Sequence, residues 1–338
     1  MDKVAIAILN YNGRKFLEKF LPSVVNYSPK NSIWVIDNCS TDDSLSYLRD
    51  NFAEVNVITL PDNGGYSKGY NQGLTQIDAE YYVLLNSDVE VTEGWLSPII
   101  EMMDADPEIA AAQPKILDYN NRLNFEYAGA GGGFIDSLGY PFCRGRLFLS
   151  LEEDKGQYDD VSRIFWASGA CMFIRSTAFY EHGQLDEDFF AHMEEIDLCW
   201  KLNNAGLKVM YNGASKVYHV GGGTLHKSNP RKTYLNFRNG LALIFKNYKS
   251  WELWVKIPIR FSLDIIASIK FMLFDSMADG LAVLKAHFHF LLDIPQNLRK
   301  RKRIKSRVVG GAAPPIYRGS IVYQYFLRGK RNFNEVKF

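Results

Sequence analysis

The stretch Val4-Ala5-Ile6-Ala7-Ile8-Leu9-Asn10-Tyr11-Asn12-Gly13 decides how this chain is read. Six apolar residues without alternation predict a strand buried on both faces, the habit of parallel sheets. The run stops at Asn10 and Asn12, and Phe16, Leu17, Phe20, Leu21 and Val24 follow at helical spacing. Then the pattern repeats. Ile33-Trp34-Val35-Ile36 ends in Asp37-Asn38, and Ser40 or Thr41 is placed to cap a helix carrying Leu45 and Leu48. Val55-Asn56-Val57-Ile58 is a third strand, and Tyr81-Tyr82-Val83-Leu84-Leu85 a fourth that ends in Asn86-Ser87-Asp88. This rhythm predicts an α/β fold with a mostly parallel sheet and flanking helices. Ligands bind such sheets beyond the carboxyl ends of the strands. Three of those ends carry side-chain oxygens: Asn10 and Asn12, Asp37 and Asn38, Asn86 and Asp88. Turn formation accounts for any one of them. All three together point to a ligand crevice.

Further along, residues 118–162 are Gly-rich and yield no assignable element, only loops near the site or a surface excursion. Regular structure resumes at Ile164. Asp186, Glu187, Asp188, Glu194, Glu195 and Asp197 then fall within twelve residues. A helix is predicted after Met193, closed by Gly206. Helical spacing puts Glu194, Asp197 and Lys201 on one face, read as solvated. Glu195 shares its face with Leu198, Cys199 and Leu202 and points toward the packed side. An inward carboxylate at a helix start is either a cap or buried ion pair, or a general base at a cleft wall. Burial would raise its pKa and the helix N-terminus would lower it. His219 precedes Gly221-Gly222-Gly223 and is either a structural histidine or a metal ligand beside Asp88.

The length of 338 residues, 47% hydrophobic and 23% charged, excludes a disordered chain and suits two domains of ordinary size or one large domain with an appendage. Four scattered cysteines without a C-x-x-C pair exclude a disulfide scaffold and fit a reducing, cytoplasmic setting. No signal peptide is expected, and no stretch of 18 apolar residues lacks a charge. The net charge of +1 conceals an asymmetry. Residues 241–338 hold 18 Lys and Arg against 6 Asp and Glu, so the two halves are expected to meet different partners.

Several motifs, in order over residues 3–245, resemble the family 2 glycosyltransferases of the GT-A fold, close to rhamnosyltransferase-like bacterial enzymes of surface polysaccharide synthesis. Asn10-Tyr11-Asn12 resembles the family's first turn, and Asp37-Asn38-Cys39-Ser40-Thr41-Asp42 its D-N-x-S-x-D. Residues 63–73, Asn63-Gly64-Gly65-Tyr66-Ser67-Lys68-Gly69-Tyr70-Asn71-Gln72-Gly73, resemble N-x-G-[FY]-x-x-G-x-N-x-G. Asn86-Ser87-Asp88 stands where a D-x-D sits, and Glu194-Glu195-Ile196-Asp197-Leu198-Cys199 resembles E-D-x-D-L-C. The resemblance implies an inverting transfer of a sugar from a UDP- or dTDP-sugar to a hydroxyl of a lipid-linked glycan. It implies a nucleotide pocket of Asn10, Asn12, Asp37, Asn63, Lys68, Asn71 and Asn86. It also implies Mg²⁺ or Mn²⁺ on Asp88 with His219 as second ligand, and Glu195 as base with Asp197 as the fallback. Two residues depart from the pattern. Asn86 removes one metal-facing charge, and Glu195 replaces an aspartate with a side chain one methylene longer. A sugar-nucleotide-binding protein without catalysis is an alternative. A nucleotidyltransferase is a poorer one, because no basic Gly-rich loop follows the first strand.

The resemblance thus implies a GT-A domain over 1–240, and a helical, basic region is expected over 241–338. Between 251 and 295, Trp251, Trp254, Phe261, Ile265, Ile266 and Phe271 through Phe274 are interrupted by charges, which predicts amphipathic rather than spanning helices. Arg299-Lys300-Arg301-Lys302-Arg303, with Lys305 and Arg307, follows. The pattern fits either a helical cap or a peripheral attachment to anionic lipid on the cytoplasmic face of a membrane. The run is short and not interleaved with aromatics, so nucleic acid is not expected as a partner.

Overall fold

The computed structural model describes residues 1–221, 229–305 and 314–338. The first half alternates as the sequence predicts: β1 (Asp2–Asn10), α1 (Arg14–Tyr27), β2 (Ser32–Asp37), α2 (Ser44–Asn51), β3 (Asn56–Thr59), α3 (Gly65–Leu74), β4 (Ala79–Asn86), β5 (Val89–Val91), α4 (Ser97–Ala105) and β6 (Ile109–Asp118). A run of short strands follows, β7 (Gly133–Asp136), β8 (Pro141–Cys143), β9 (Arg146–Leu147), β10 (Ser150–Leu151) and β11 (Val161–Ile164). Then come β12 (Cys171–Arg175), α5 (Ser176–Glu181), α6 (Glu194–Asn204) and β13 (Lys208–His219). The remainder is α7 (Pro230–Asn247), α8 (Ser250–Lys270), α9 (Met277–Leu292), α10 (Ile294–Lys305) and β14 (Ile316–Tyr317).

The main sheet has the order β11-β13-β6-β12-β4-β1-β2-β3, with β5 beside β13. β3, β2, β1, β4, β6 and β13 run one way, and β12, β11 and β5 oppose them. β1 shows why its apolar run is unbroken. Ala5 and Ala7 enter one core, while Val4, Ile6 and Ile8 enter the other with Leu17, Leu21 and Val24 of α1. The Gly-rich stretch is a second sheet, β10-β9-β8-β7-β14. Buried Lys115 of β6 holds it through Asp154 at 2.9 Å, and Arg144 pairs with Asp160 at 2.9 Å.

The expected boundary at residue 240 falls inside α7. Leu235, Leu241, Leu243 and Ile244 of that helix are all buried, so one helix serves both halves. The last residues also return to the first half. β14 pairs in parallel with β7, and Phe333 and Phe338 stack with Phe134 and Phe142. Among the described residues, no helix is long and apolar enough to cross a membrane.

Candidate active site

Strand register assembles the crevice floor. Asn10 lies beside Asp37 in β1–β2, and Leu9 lies beside Asn86 in β1–β4, so three polar strand ends stand in one row. Asn10 and Asp37 are fully buried. Asn10 Nδ2 donates to Asp37 Oδ1 at 3.0 Å, and Asp37 Oδ2 accepts the Ser40 N–H at 2.9 Å. Asn12 is exposed, in left-handed backbone (φ 50°), and its Oδ1 accepts the Thr41 N–H at 2.7 Å. Ser40 and Thr41 therefore do not cap α2, which starts four residues after Ser40. Ser40 Oγ instead accepts from Asn10 Nδ2 and the Asn12 N–H. The loop after β2 is tied to the loop after β1 and cannot serve as a helix cap.

The wall above is the start of α3. Asn63 Oδ1 accepts from Asn38 Nδ2 and from the Gly65 N–H, both at 3.0 Å. Lys68 pairs with Asp62 at 2.8 Å. Asn71 is buried and lines a cavity with Thr59 and Leu60, at the end of β3, and with Glu187. Its amide bonds the backbone of Leu185 in both directions and reaches Glu187 Oε1 at 3.1 Å. These bonds tie α3 to the loop before α6.

Beyond β4, Asp88, His219 and Glu126 are all buried. His219 Nε2 lies 3.1 Å from Asp88 Oδ1, and Nδ1 lies 3.3 Å from Glu126 Oε2. Asn86 Nδ2 is 3.4 Å from the same Nε2. Burial opposes a charged imidazole, yet the two carboxylates raise its pKa well above the ordinary value.

The facing wall is the loop into α6. Phe190, His192 and Met193 all have left-handed backbone, at φ 59°, 71° and 74°. Such conformations cost about 1–3 kcal/mol each in non-glycine residues and persist only when surroundings hold them. Here Asn239 of α7 holds them. Its Nδ2 lies 2.8–3.0 Å from the carbonyl oxygens of Phe189, Ala191 and His192. Arg238 Nε and Nη2 donate to Asn239 Oδ1 and fix the amide's orientation. On the other side, the Tyr66 N–H of α3 donates to Phe190 O at 2.8 Å, and Tyr66 Oη donates to Gly169 O beside the end of β4.

This clamp sets the start of α6. Glu195 is half-buried, and its Oε2 has no hydrogen-bond partner in the protein. Burial pushes its carboxyl up to about 7, against the pull of the backbone amides of the helix start. The balance that the sequence leaves open thus falls on desolvation. Glu194 is buried, and burial with the adjacent Glu195 raises its pKa well above the usual carboxylate range.

The solvated face expected for Glu194, Asp197 and Lys201 is not solvated. Asp197 is fully buried, 3.0 Å from Lys246 Nζ and 3.4 Å from Lys201 Nζ, and accepts from Asn247 Nδ2 at 2.9 Å. Lys246 also bonds Asp186 at 2.5 Å, and Lys300 of α10 bonds both Asp186 and Asp188. These charges weld α6 to α7 and α10. Asp197 is committed to that weld.

The family model for glycosyl transferase family 2 matches residues 5–181, more than half of the chain. The chain belongs to that family. This glycosyltransferase is 22% identical over 329 residues to an N-acetylglucosaminyl-diphospho-decaprenol L-rhamnosyltransferase of Mycobacterium tuberculosis, covering 92% of the chain and 99% of the relative. In structure it is similar to S. aureus TarS 1-349 in complex with UDP-GlcNAc, with a TM-score of 0.57 and 16% identity, covering 90% and 84% of the two chains. It is also similar to GalNAc-T7 with UDP, GalNAc and Mn²⁺, with a TM-score of 0.58 and 15% identity, covering 88% and 57%. These likenesses show the GT-A fold.

Does this glycosyltransferase suit a divalent cation? Among the described residues, no group of three His, Cys, Asp or Glu is arranged as a complete metal cage. An ion carried on a diphosphate needs fewer protein ligands, because phosphate oxygens and water fill the rest. Asp88 and His219 supply one carboxylate and one imidazole, and Glu126 sits behind the far ring nitrogen as an outer carboxylate would. The donor set fits such an ion once His219 gives up its proton, an exchange that a divalent cation beside Asp88 would favour. Sequence reasoning missed Glu126, which lies in the unassigned Gly-rich stretch. It also missed Tyr66 as a strut and Asn239 as the loop clamp. The one signal for Asn239 was a polar Arg238-Asn239 pair just before the apolar turn Leu241 to Phe245.

Proposed function

We propose that this glycosyltransferase moves a sugar, with inversion, from a UDP- or dTDP-sugar to a hydroxyl of a lipid-linked glycan, at the cytoplasmic face of a membrane, in surface polysaccharide synthesis. The observation that carries this is Glu195. It is a half-buried carboxylate with its pKa near neutrality, in the first turn of α6, just after a strained loop docked through Tyr66 against the strand-end crevice. In the reaction, the acceptor oxygen attacks the anomeric carbon and the bond from that carbon to the diphosphate breaks. Glu195 takes the acceptor's proton, and the nucleoside diphosphate leaves. Mg²⁺ or Mn²⁺, held by Asp88 and His219, would supply positive charge for the leaving diphosphate. Asn10, Asn12, Asp37, Asn63, Lys68 and Asn86 line or brace the nucleotide side. Asp37 holds the end of β1 and the loop after β2 in shape while its neighbours present the open groups. The lipid-linked acceptor is supported by the near full-length likeness to an enzyme whose name includes a diphospho-decaprenol acceptor.

Thermal shift with UDP, dTDP and GDP, each with and without Mn²⁺, tests the reading. A shift with UDP or dTDP that needs Mn²⁺ and is lost in Asp88→Asn supports it. A chain that responds to no nucleotide, or equally in Asp88→Asn, overturns the donor and metal assignments.

A further inference from the structure

Helix α8 is inside out. Its buried residues are Arg260, Asp264 and Ser268, all polar. Its exposed residues Trp251, Trp254, Val255, Ile259, Ile265, Ile266 and Ile269 recur at helical spacing, so the outer stripe is the apolar one. Trp254 is 84% exposed while Asp264 is 0% exposed. The stripe continues through Leu273 and Phe274 in the turn and along α9 at Leu281, Leu284, Phe288, Leu291 and Leu292. Isolated apolar residues on a surface need no explanation, but a contiguous face on two packed helices does.

The inward polar groups are paired with one another. Arg260 Nε and Tyr140 Oη each donate to Asp264 Oδ1 at 3.0 Å, and His287 Nε2 lies 3.3 Å from Asp264 Oδ2. Ser268 Oγ donates to Gly280 O at 2.8 Å, and Thr233 Oγ1 to Asp279 Oδ1 at 2.5 Å. Polar groups turned inward and paired, with apolar groups outward, is the distribution imposed by a hydrocarbon solvent. The edges agree. Trp251 and Trp254 sit near Lys249 and Lys256 at one end, and Lys270 sits at the turn, as aromatic and basic residues do at a lipid–water boundary.

The basic run adds less than its sequence suggests. Lys300 is bonded to Asp186 and Asp188, Arg301 to the carbonyls of Phe245 and Lys246, and Lys305 to Ser250 Oγ. Arg307 lies outside the described residues.

We infer that the α8–α9 hairpin inserts its outer face into the acyl region of one leaflet, as a monotopic anchor held by apolar contact rather than by charge. The inference rests on the reading that the chain works at a membrane. With α8 in the leaflet and α7 clamping the loop that leads into α6, the anchor sets the height of the crevice above the lipid. A lipid-linked acceptor would meet it there.

The test is flotation of the full chain with vesicles of phosphatidylcholine alone, and with added phosphatidylglycerol, at ~0.1 M and ~1 M KCl, where the screening length shrinks from about 10 Å to about 3 Å. Flotation with both vesicles that survives the higher salt is expected. Combined Trp254→Glu, Ile266→Glu and Phe274→Glu should lower the floated fraction by roughly tenfold or more, because buried apolar area sets such binding. These side chains are exposed, so circular dichroism and donor hydrolysis should be unchanged. Flotation only with the anionic vesicle, lost in high salt and indifferent to the triple change, overturns the inference and leaves the membrane reading standing. No flotation under any condition overturns both. A dimer in light scattering that the triple change dissociates would assign the face to a second copy and also overturn the inference.

Discussion

Helices α1 and α8 have the same period and opposite polarity. In α1, Leu17, Phe20, Leu21 and Val24 are buried and Lys15, Glu18 and Lys19 face water. In α8, Arg260, Asp264 and Ser268 are buried and both tryptophans with Ile259, Ile265, Ile266 and Ile269 face out. Periodicity in a sequence finds the apolar stripe but does not say which solvent the stripe meets. That is decided by where the polar groups between find partners. In α1 water is enough. In α8 each has a dedicated partner, Tyr140, His287 or the Gly280 carbonyl, on another element. The two helices stand for the two halves, one organised around a crevice and one around a surface. If that division is right, each half should be breakable alone.

The largest effect belongs to the crevice. Glu195→Gln should lower transfer by about 10²–10⁴-fold, the usual contribution of a positioned general base, while flotation and Mn²⁺-dependent nucleotide binding stay as in the parent. Transfer rates on a soluble acceptor analogue, paired with nucleotide titration, check it. Unchanged turnover removes Glu195 from the chemistry.

The seam between the halves comes next. Lys246→Ala leaves Asp186 and Asp197 buried without their shared cation. Removing one partner of a buried ion pair costs about 3–5 kcal/mol, and denaturant titration should show a loss of that order. Transfer should fall more than the folded fraction explains, because α7 also carries the Asn239 clamp on the loop that leads into α6 and sets Glu195. A smaller loss shared equally by activity and folded fraction would mean that the seam only stabilises.

Matched truncations then probe the comparison itself. Leu17→Ala should cost about 2–5 kcal/mol, as large-to-small changes in packed cores do, whereas Ile266→Ala in solution should stay within about 0.5 kcal/mol, as surface changes do. Comparable losses at both would place the outer stripe of α8 against protein after all.

What the sequence could tell follows the range of the interactions. The row of Asn10, Asp37 and Asn86 was legible because strand ends are set by local pattern and parallel strands align their ends. The inward turn of Glu195 was legible from spacing within one helix. Asp197 was misread because its partner Lys246 lies on another helix, so a charge that looks solvated in sequence is buried in space. The Gly-rich stretch was opaque because its strands are two to four residues long and one neighbour, β14, arrives from the far end of the chain. The polarity of α8 was hidden for the same reason: Tyr140 and His287 are remote from Arg260 and Asp264.

The smallest effect is a pH dependence, and it has two signs for one residue. As a base, Glu195 works only when ionised. With its carboxyl near 7, transfer should rise about tenfold between pH 6 and pH 8, the change in the ionised fraction of a single group. Stability should move the other way. The unfolded chain ionises Glu195 near its ordinary 4.5, while the fold resists ionisation until about 7. Between those values the native state holds more protons than the unfolded one, so stability attributable to this residue falls as pH rises through the window. Glu195→Gln removes that dependence. Its melting temperature should therefore match the parent near pH 4.5 and exceed it at pH 8, while its residual transfer becomes flat in pH. A parent whose rate is flat from pH 6 to pH 8, or a Gln variant no more stable at pH 8, would show that the crevice does not desolvate this carboxylate. The contrast with the half proposed to face lipid would then lose its catalytic side.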